Sequence, residues 1–105
     1  MKEKTVLELK EMMDRKEDFQ LIDVREQYES EISNLGGELI PLGTIVQEEE
    51  KIDKSKPVII YCRSGSRSAA AVNQLEKQFG FTNLYNLKGG ILAYADLVDP
   101  SLTKY

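Results

Sequence analysis

PVIIYCRSGSRSAAAV, residues 57–72, is the stretch that decides how this chain folds. An unbroken apolar run, Val58–Tyr61, ends on the only cysteine, Cys62. Two arginines, three serines and a glycine follow within six residues. A short apolar run without polar alternation reads as a strand buried on both faces. Residues 67–79 read as a helix, with Gly80 in the place where helices commonly end. A strand that passes through a short polar loop into a helix is the unit of a parallel α/β sheet. Sites in such sheets form beyond the carboxyl ends of the strands, where Cys62 sits.

Working outward, the same alternation continues in both directions. Residues 5–16 read as a helix capped by Thr5, with Glu8 completing a capping box and Val6, Leu9 and Met13 on one face. Residues 19–23, FQLID, read as a strand, and REQYESEI as a charged helical turn. The glycines of NLGGELIPLG mark a loop with a short strand at Leu39–Ile40. Thr44 and Gln47 predict a second capping box, opening a helix that runs to Ile52 with the glutamates 48–50 on its solvated face. Asn83–Leu87 reads as a strand. Gly89-Gly90 then makes a tight turn into a last helix, ILAYADLV, stopped before Asp99-Pro100. The expectation is one α/β domain over residues 1–105, a mainly parallel sheet with helices on both faces.

Composition narrows the chemistry. The chain has no histidine and one cysteine. That leaves no Ser-His-Asp triad, no Cys-His pair, no internal disulfide and no zinc or iron–sulfur ligand set from one chain. A lone thiol suits a reducing compartment. The formal charge of −4 argues against nucleic acid as a general partner. The N-terminus lacks the apolar core of a signal peptide, and no apolar run is long enough to span a bilayer. The expected setting is cytoplasmic, with no membrane partner, no metal and no cofactor.

The loop after Cys62 is built to hold negative charge. A helix starts a few residues on, and its free N–H groups carry partial positive charge. Gly65 allows a tight turn in which successive amides point inward as an anion nest. Arg63 and Arg67 add formal charge, and the hydroxyls of Ser64, Ser66 and Ser68 can donate further hydrogen bonds. These features favour the thiolate, the nucleophilic form. Free cysteines are often inert core residues. A core cysteine, however, has no use for a glycine turn and two guanidiniums. The charged atom on Cys62 is either a phosphoryl group or a second sulfur. Cysteine phosphatases place their arginine six positions after the cysteine, where this chain has Ser68. Arg67 comes one position earlier, and the shorter loop suits a terminal sulfur.

Three segments, LIDVREQYESEI (21–32), VIIYCRSGSRSA (58–69) and LYNLKGGILAYA (84–95), make nearly the whole chain resemble the single-domain rhodanese-like sulfurtransferases. The pattern is most similar to the rhodanese domain at the C-terminus of bacterial adenylyltransferases of molybdopterin and thiamine synthesis. The resemblance implies a three-layer α/β fold on a sheet of about five strands. It also implies that Cys62 takes sulfane sulfur from thiosulfate or a persulfide donor and passes it to a thiol, cyanide or protein acceptor. By the same resemblance, residues Arg63, Ser64, Gly65, Ser66 and Arg67 form the loop that binds the persulfide. Asp23 and Arg25 match the family's D-V-R segment. We expect a structural role there, an ion pair of Arg25 with Glu29 four residues on. Ser30 and Ser33-Asn34-Leu35 depart from the family's usual tyrosine and G-H-I. A rhodanese-like module that only binds a partner protein, and a cysteine phosphatase or arsenate-handling enzyme, are the alternatives.

Overall fold

The computed structural model describes residues 1–105. Its elements in chain order are β1 (Glu3–Lys4), α1 (Val6–Asp14), β2 (Gln20–Asp23), α2 (Gln27–Ile32), β3 (Glu38–Leu39), β4 (Val58–Tyr61), α3 (Ser66–Phe79), β5 (Leu84–Leu87) and α4 (Gly90–Leu97). The five strands form one parallel sheet in the order β1-β5-β4-β2-β3.

β4 lies at the centre, and its side chains divide the core into two layers. Val58, Ile60 and Cys62 point to one face, where they pack with Ile22, Val24, Leu84 and the α3 residues Ala71, Val72 and Leu75. Ile59 and Tyr61 point to the other, against Val6, Leu9 and Met12 of α1 and Ile91 and Tyr94 of α4. Every residue of β4 is buried. That burial is why its sequence shows no polar alternation.

Two helix-end signals read from the sequence hold. Thr5 caps α1, its side chain accepting from the Glu8 amide at 3.1 Å while Glu8 accepts from the Thr5 amide at 2.8 Å. Gly80 closes α3 in the left-handed conformation at φ 70°. Met12, not Met13, is the more buried of that pair.

One expectation fails, and one element was not foreseen. The segment after Thr44 is not a helix. It forms two short 3-10 turns, Leu42–Thr44 and Glu49–Lys51, and Thr44 lies inside the first rather than capping anything. Ile45 and Ile52 are both buried and pin this segment against the core. Packing at those two points sets its path, and the charged stretch between them has no apolar face to support a longer helix. The unforeseen element is β1, a two-residue edge strand that pairs Glu3 with Asn86 and Lys4 with Leu87. A strand of two charged residues carries no hydrophobic pattern to read.

The strand order reverses between β4 and β2. From β2 the chain moves outward to β3, and from β4 it moves the opposite way to β5. The carboxyl ends of β2 and β4 therefore flank a crevice at a topological switch point.

Candidate active site

β4 delivers Cys62 to this crevice with its side chain 1% exposed. The chain turns at Gly65, whose φ of 108° suits glycine alone, and α3 begins at the next residue. Two backbone amides converge on the sulfur, Gly65 N at 3.1 Å and Ser68 N at 3.3 Å from Sγ. The Ser68 hydroxyl lies 3.4 Å from the same atom. The amides of Arg63, Ser64, Ser66 and Arg67 make no hydrogen bond within the protein. Two N–H donors of the loop thus meet at the sulfur, and four more in the same loop are without a partner inside the protein.

The last helix fixes the direction in which these amides point. Ile91 N donates to Cys62 O at 3.0 Å, and Leu92 N donates to Arg63 O at 3.1 Å. With their carbonyls held by α4, the peptides that carry the Arg63 and Ser64 amides are fixed in orientation. Gly90 makes this approach possible, because a Cβ there would lie 2.5 Å from the carbonyl oxygens of both Cys62 and Arg63. The Gly89-Gly90 turn is therefore part of the site's frame as well as a strand-to-helix connection.

The charged residues pair differently from the sequence expectation. Arg25 does not form its ion pair with Glu29. Its Nη2 donates to Asp23 Oδ2 at 2.8 Å, and its Nε donates to Asp23 Oδ1 at 3.0 Å. Glu29 gives Arg25 only a backbone carbonyl, at 3.4 Å, and the Ser33 carbonyl accepts a further bond at 2.6 Å. Arg25 and Asp23 are both completely buried, and the guanidinium lies 5.6 Å from the centre of the Tyr61 ring. Burial opposes the charge on Arg25, but the hydrogen bonds and charge of Asp23 outweigh it and hold the guanidinium ionised. Burial, followed by the Asp23 charge, pushes the Tyr61 hydroxyl up to about 12, and that hydroxyl accepts from Leu35 N at 3.1 Å.

The Glu29 carboxylate instead takes Arg67 from the loop, in a two-pronged pair at 2.7 and 2.9 Å. This contact spans 38 residues of sequence and ties α2 to the first turn of α3. The Arg67 hydrogen bonds hold Glu29 down at about 2, against the cost of its burial. An i,i+4 rule sees only local partners, and so it missed this pair.

The structure thus brings Cys62, Gly65 and the loop amides together. It turns Arg67 toward Glu29 and leaves Ser64 and Ser66 exposed. Arg63 is exposed too, 5.8 Å from the Tyr105 ring. Of the loop hydroxyls only Ser68 reaches the sulfur. Behind it stands a residue the sequence reading passed over, Asn86 of β5. Asn86 Oδ1 is 2.5 Å from Ser68 Oγ, and its Nδ2 donates to Gly65 O at 3.3 Å. Nothing local to LYNLKGG announces that contact.

No group of three or more cysteine, histidine, aspartate or glutamate side chains is arranged to hold a metal ion. No helix is long and apolar enough to cross a membrane.

Comparison with known proteins shows the family and the fold. Residues 5–97 match the family model described as Rhodanese-like domain. The chain is 43% identical over 91 residues to the Rhodanese-like/PpiC domain-containing protein 12, chloroplastic, of Arabidopsis thaliana, covering 82% of this chain and 30% of that protein. It is 35% identical over 104 residues to the probable adenylyltransferase/sulfurtransferase MoeZ of Mycobacterium tuberculosis, covering 96% of this chain and 26% of that one. The chain therefore spans less than a third of the length of these curated relatives. Among solved structures, a rhodanese-like domain protein from Staphylococcus aureus superposes with a TM-score of 0.83 at 31% identity, over 100% of this chain and 99% of that one.

Proposed function

The chain belongs to the rhodanese-like family, and from that membership we propose that it is a sulfurtransferase carrying sulfane sulfur as a persulfide on Cys62. The thiolate attacks the outer sulfur of thiosulfate, a new S–S bond forms, the S–S bond of thiosulfate breaks, and sulfite leaves with the electron pair. An acceptor such as cyanide, a thiol or a protein nucleophile then attacks the outer sulfur of the persulfide, and Cys62 departs as thiolate. A persulfide donor replaces thiosulfate in the first step without changing the second. No other cysteine stands ready to displace the sulfur internally, so the acceptor comes from outside the chain.

The observation that carries this reading is the convergence of two loop amides on Cys62 beside several that have no partner. Gly65 and Ser68 engage Sγ, while Ser64, Ser66 and Arg67 keep free N–H groups for the charge on an outer sulfur. The pairing of Arg67 with Glu29 weighs against the phosphatase alternative. That chemistry needs a guanidinium free to grip phosphate oxygens, and this one is engaged by a buried carboxylate. The intact cysteine and loop weigh against a module that only binds a partner.

The test is intact-protein mass after incubation with thiosulfate, and again after cyanide. The expected result is a gain of one sulfur on Cys62, lost on cyanide with thiocyanate released, and no gain in Cys62→Ser. No gain from thiosulfate or from a persulfide donor would overturn the proposal.

A further inference from the structure

The Ser68 hydroxyl is completely buried, with one proton and three neighbours that could take it: Asn86 Oδ1, Gly65 O at 3.2 Å and Cys62 Sγ at 3.4 Å. The network decides among them. Gly65 O is a carbonyl and can only accept, so the Asn86 atom facing it is the donating Nδ2. The same carbonyl also receives the Ala69 amide at 3.1 Å, which fills its two lone pairs. With Asn86 so oriented, its Oδ1 faces Ser68, and an amide oxygen also only accepts. The Ser68 proton therefore goes to Asn86, and the Ser68 oxygen turns its lone pairs toward the sulfur. Lone pairs receive the S–H of a thiol but give no support to the charge of a thiolate.

We propose that Asn86 is a positioning residue for the sulfur chemistry: by holding the Ser68 proton it withholds a hydrogen bond from the empty thiolate and favours the sulfur-loaded state. In the persulfide Sγ carries no charge. The charge lies one atom further out, where the unpaired amides of the loop are available to it. This inference rests on the sulfur-carrier reading.

The charged groups around Cys62 are few. Arg63 follows it in the chain, and Arg67, held by Glu29, feels the sulfur's charge from α3. Asp23 and Arg25 lie with Tyr61, on the face of β4 opposite to Cys62. Its neighbours from β2 and α4 are uncharged: Ile22 and, just past the strand, Val24 share its core layer, while α4 brings Gly90 and the Ile91 amide. Neither Asn86 nor Ser68 is charged, so replacing them leaves this set unaltered.

The experiment is the rate of Cys62 alkylation by iodoacetamide against pH, in the wild type, Asn86→Leu, Ser68→Ala and the double variant. Asn86→Leu removes Oδ1 and also Nδ2, which frees one lone pair of Gly65 O, but the charge of the thiolate makes it the stronger of the two acceptors left to the Ser68 proton. The midpoint should fall by about one pH unit, the size of one hydrogen bond to a charged group. Discharge of the persulfide by cyanide should quicken several-fold. Ser68→Ala should lower the midpoint by less, since it removes the lone pairs without supplying a donor, and adding Asn86→Leu to it should bring no further fall. An unchanged or raised midpoint in Asn86→Leu overturns the inference. Should that variant fail to fold, a raised midpoint in Ser68→Ala overturns it alone. Alkylation needs no sulfur donor, so the two readings fail separately. An unmoved midpoint beside normal sulfur loading removes the role of Asn86 only, while a lowered midpoint without loading in the wild type removes the carrier reading and the loaded-state preference built on it.

Discussion

Arg25 has the contacts of a residue that holds structure together. Its donors end on Asp23 and on two backbone carbonyls, and none of its surface is exposed. A lysine in its place would keep the charge but lose the flat fork that spans Asp23 and the carbonyls of Glu29 and Ser33. Arg25→Lys is expected to cost about 2 kcal/mol or more, a fall in Tm of roughly 10 °C for a domain of this size. Sulfur transfer per folded molecule should change far less. Thermal unfolding followed by circular dichroism, with kinetics well below the transition, separates the two effects. A larger loss of activity than of stability would put Arg25 in the chemistry instead.

At the scale of elements, the site is an assembly of three ends: the carboxyl end of β4 and the first turns of α3 and α4. The α4 contribution rests on Gly90. Its φ of 60° is unfavourable for other residues, and any Cβ would press on the Cys62 and Arg63 carbonyls. Gly90→Ala should displace these carbonyls, turn the loop amides away from the sulfur and lower sulfur transfer at least tenfold in protein that remains folded. Steady-state kinetics beside a far-ultraviolet spectrum check this, and unchanged kinetics would show that the loop holds its shape without α4.

The strand, the loop and the opening of α3 were legible in the sequence because they are contiguous, and each local signal points to the same unit. The Thr5–Glu8 capping box was legible for the same reason. What joins the ends was not. Glu29 finds Arg67 across 38 residues, and Ser68 finds Asn86 across 18. Such partners are set by sheet order, which no spacing rule contains. The turns at residues 42–51 misled because a capping pattern is a local signal, and packing of Ile45 and Ile52 overrode it.

For the whole molecule, the Glu29–Arg67 pair makes acid a probe of stability. Glu29 sits near 4.5 when unfolded and at about 2 in the folded protein. The folded state thus gains stability wherever Glu29 is ionised in both forms, above about 4.5, and loses that gain as the pH falls toward 2. Glu29→Gln should lower stability near neutral pH and flatten its dependence between those two values. Denaturant titrations across that range measure it, and parallel curves for variant and wild type would contradict the assignment.

The pairing of Glu3 with Asn86 has a temporal consequence. A chain leaving the ribosome presents its first strand early, but that strand has no place in the sheet until β5 is made. The same late segment supplies Asn86 and, just beyond it, the α4 amides that hold the loop carbonyls. During synthesis the cysteine motif therefore exists before its surroundings do, as an open thiol on an unfinished sheet. It acquires its pocket only after β5 and α4 have been made.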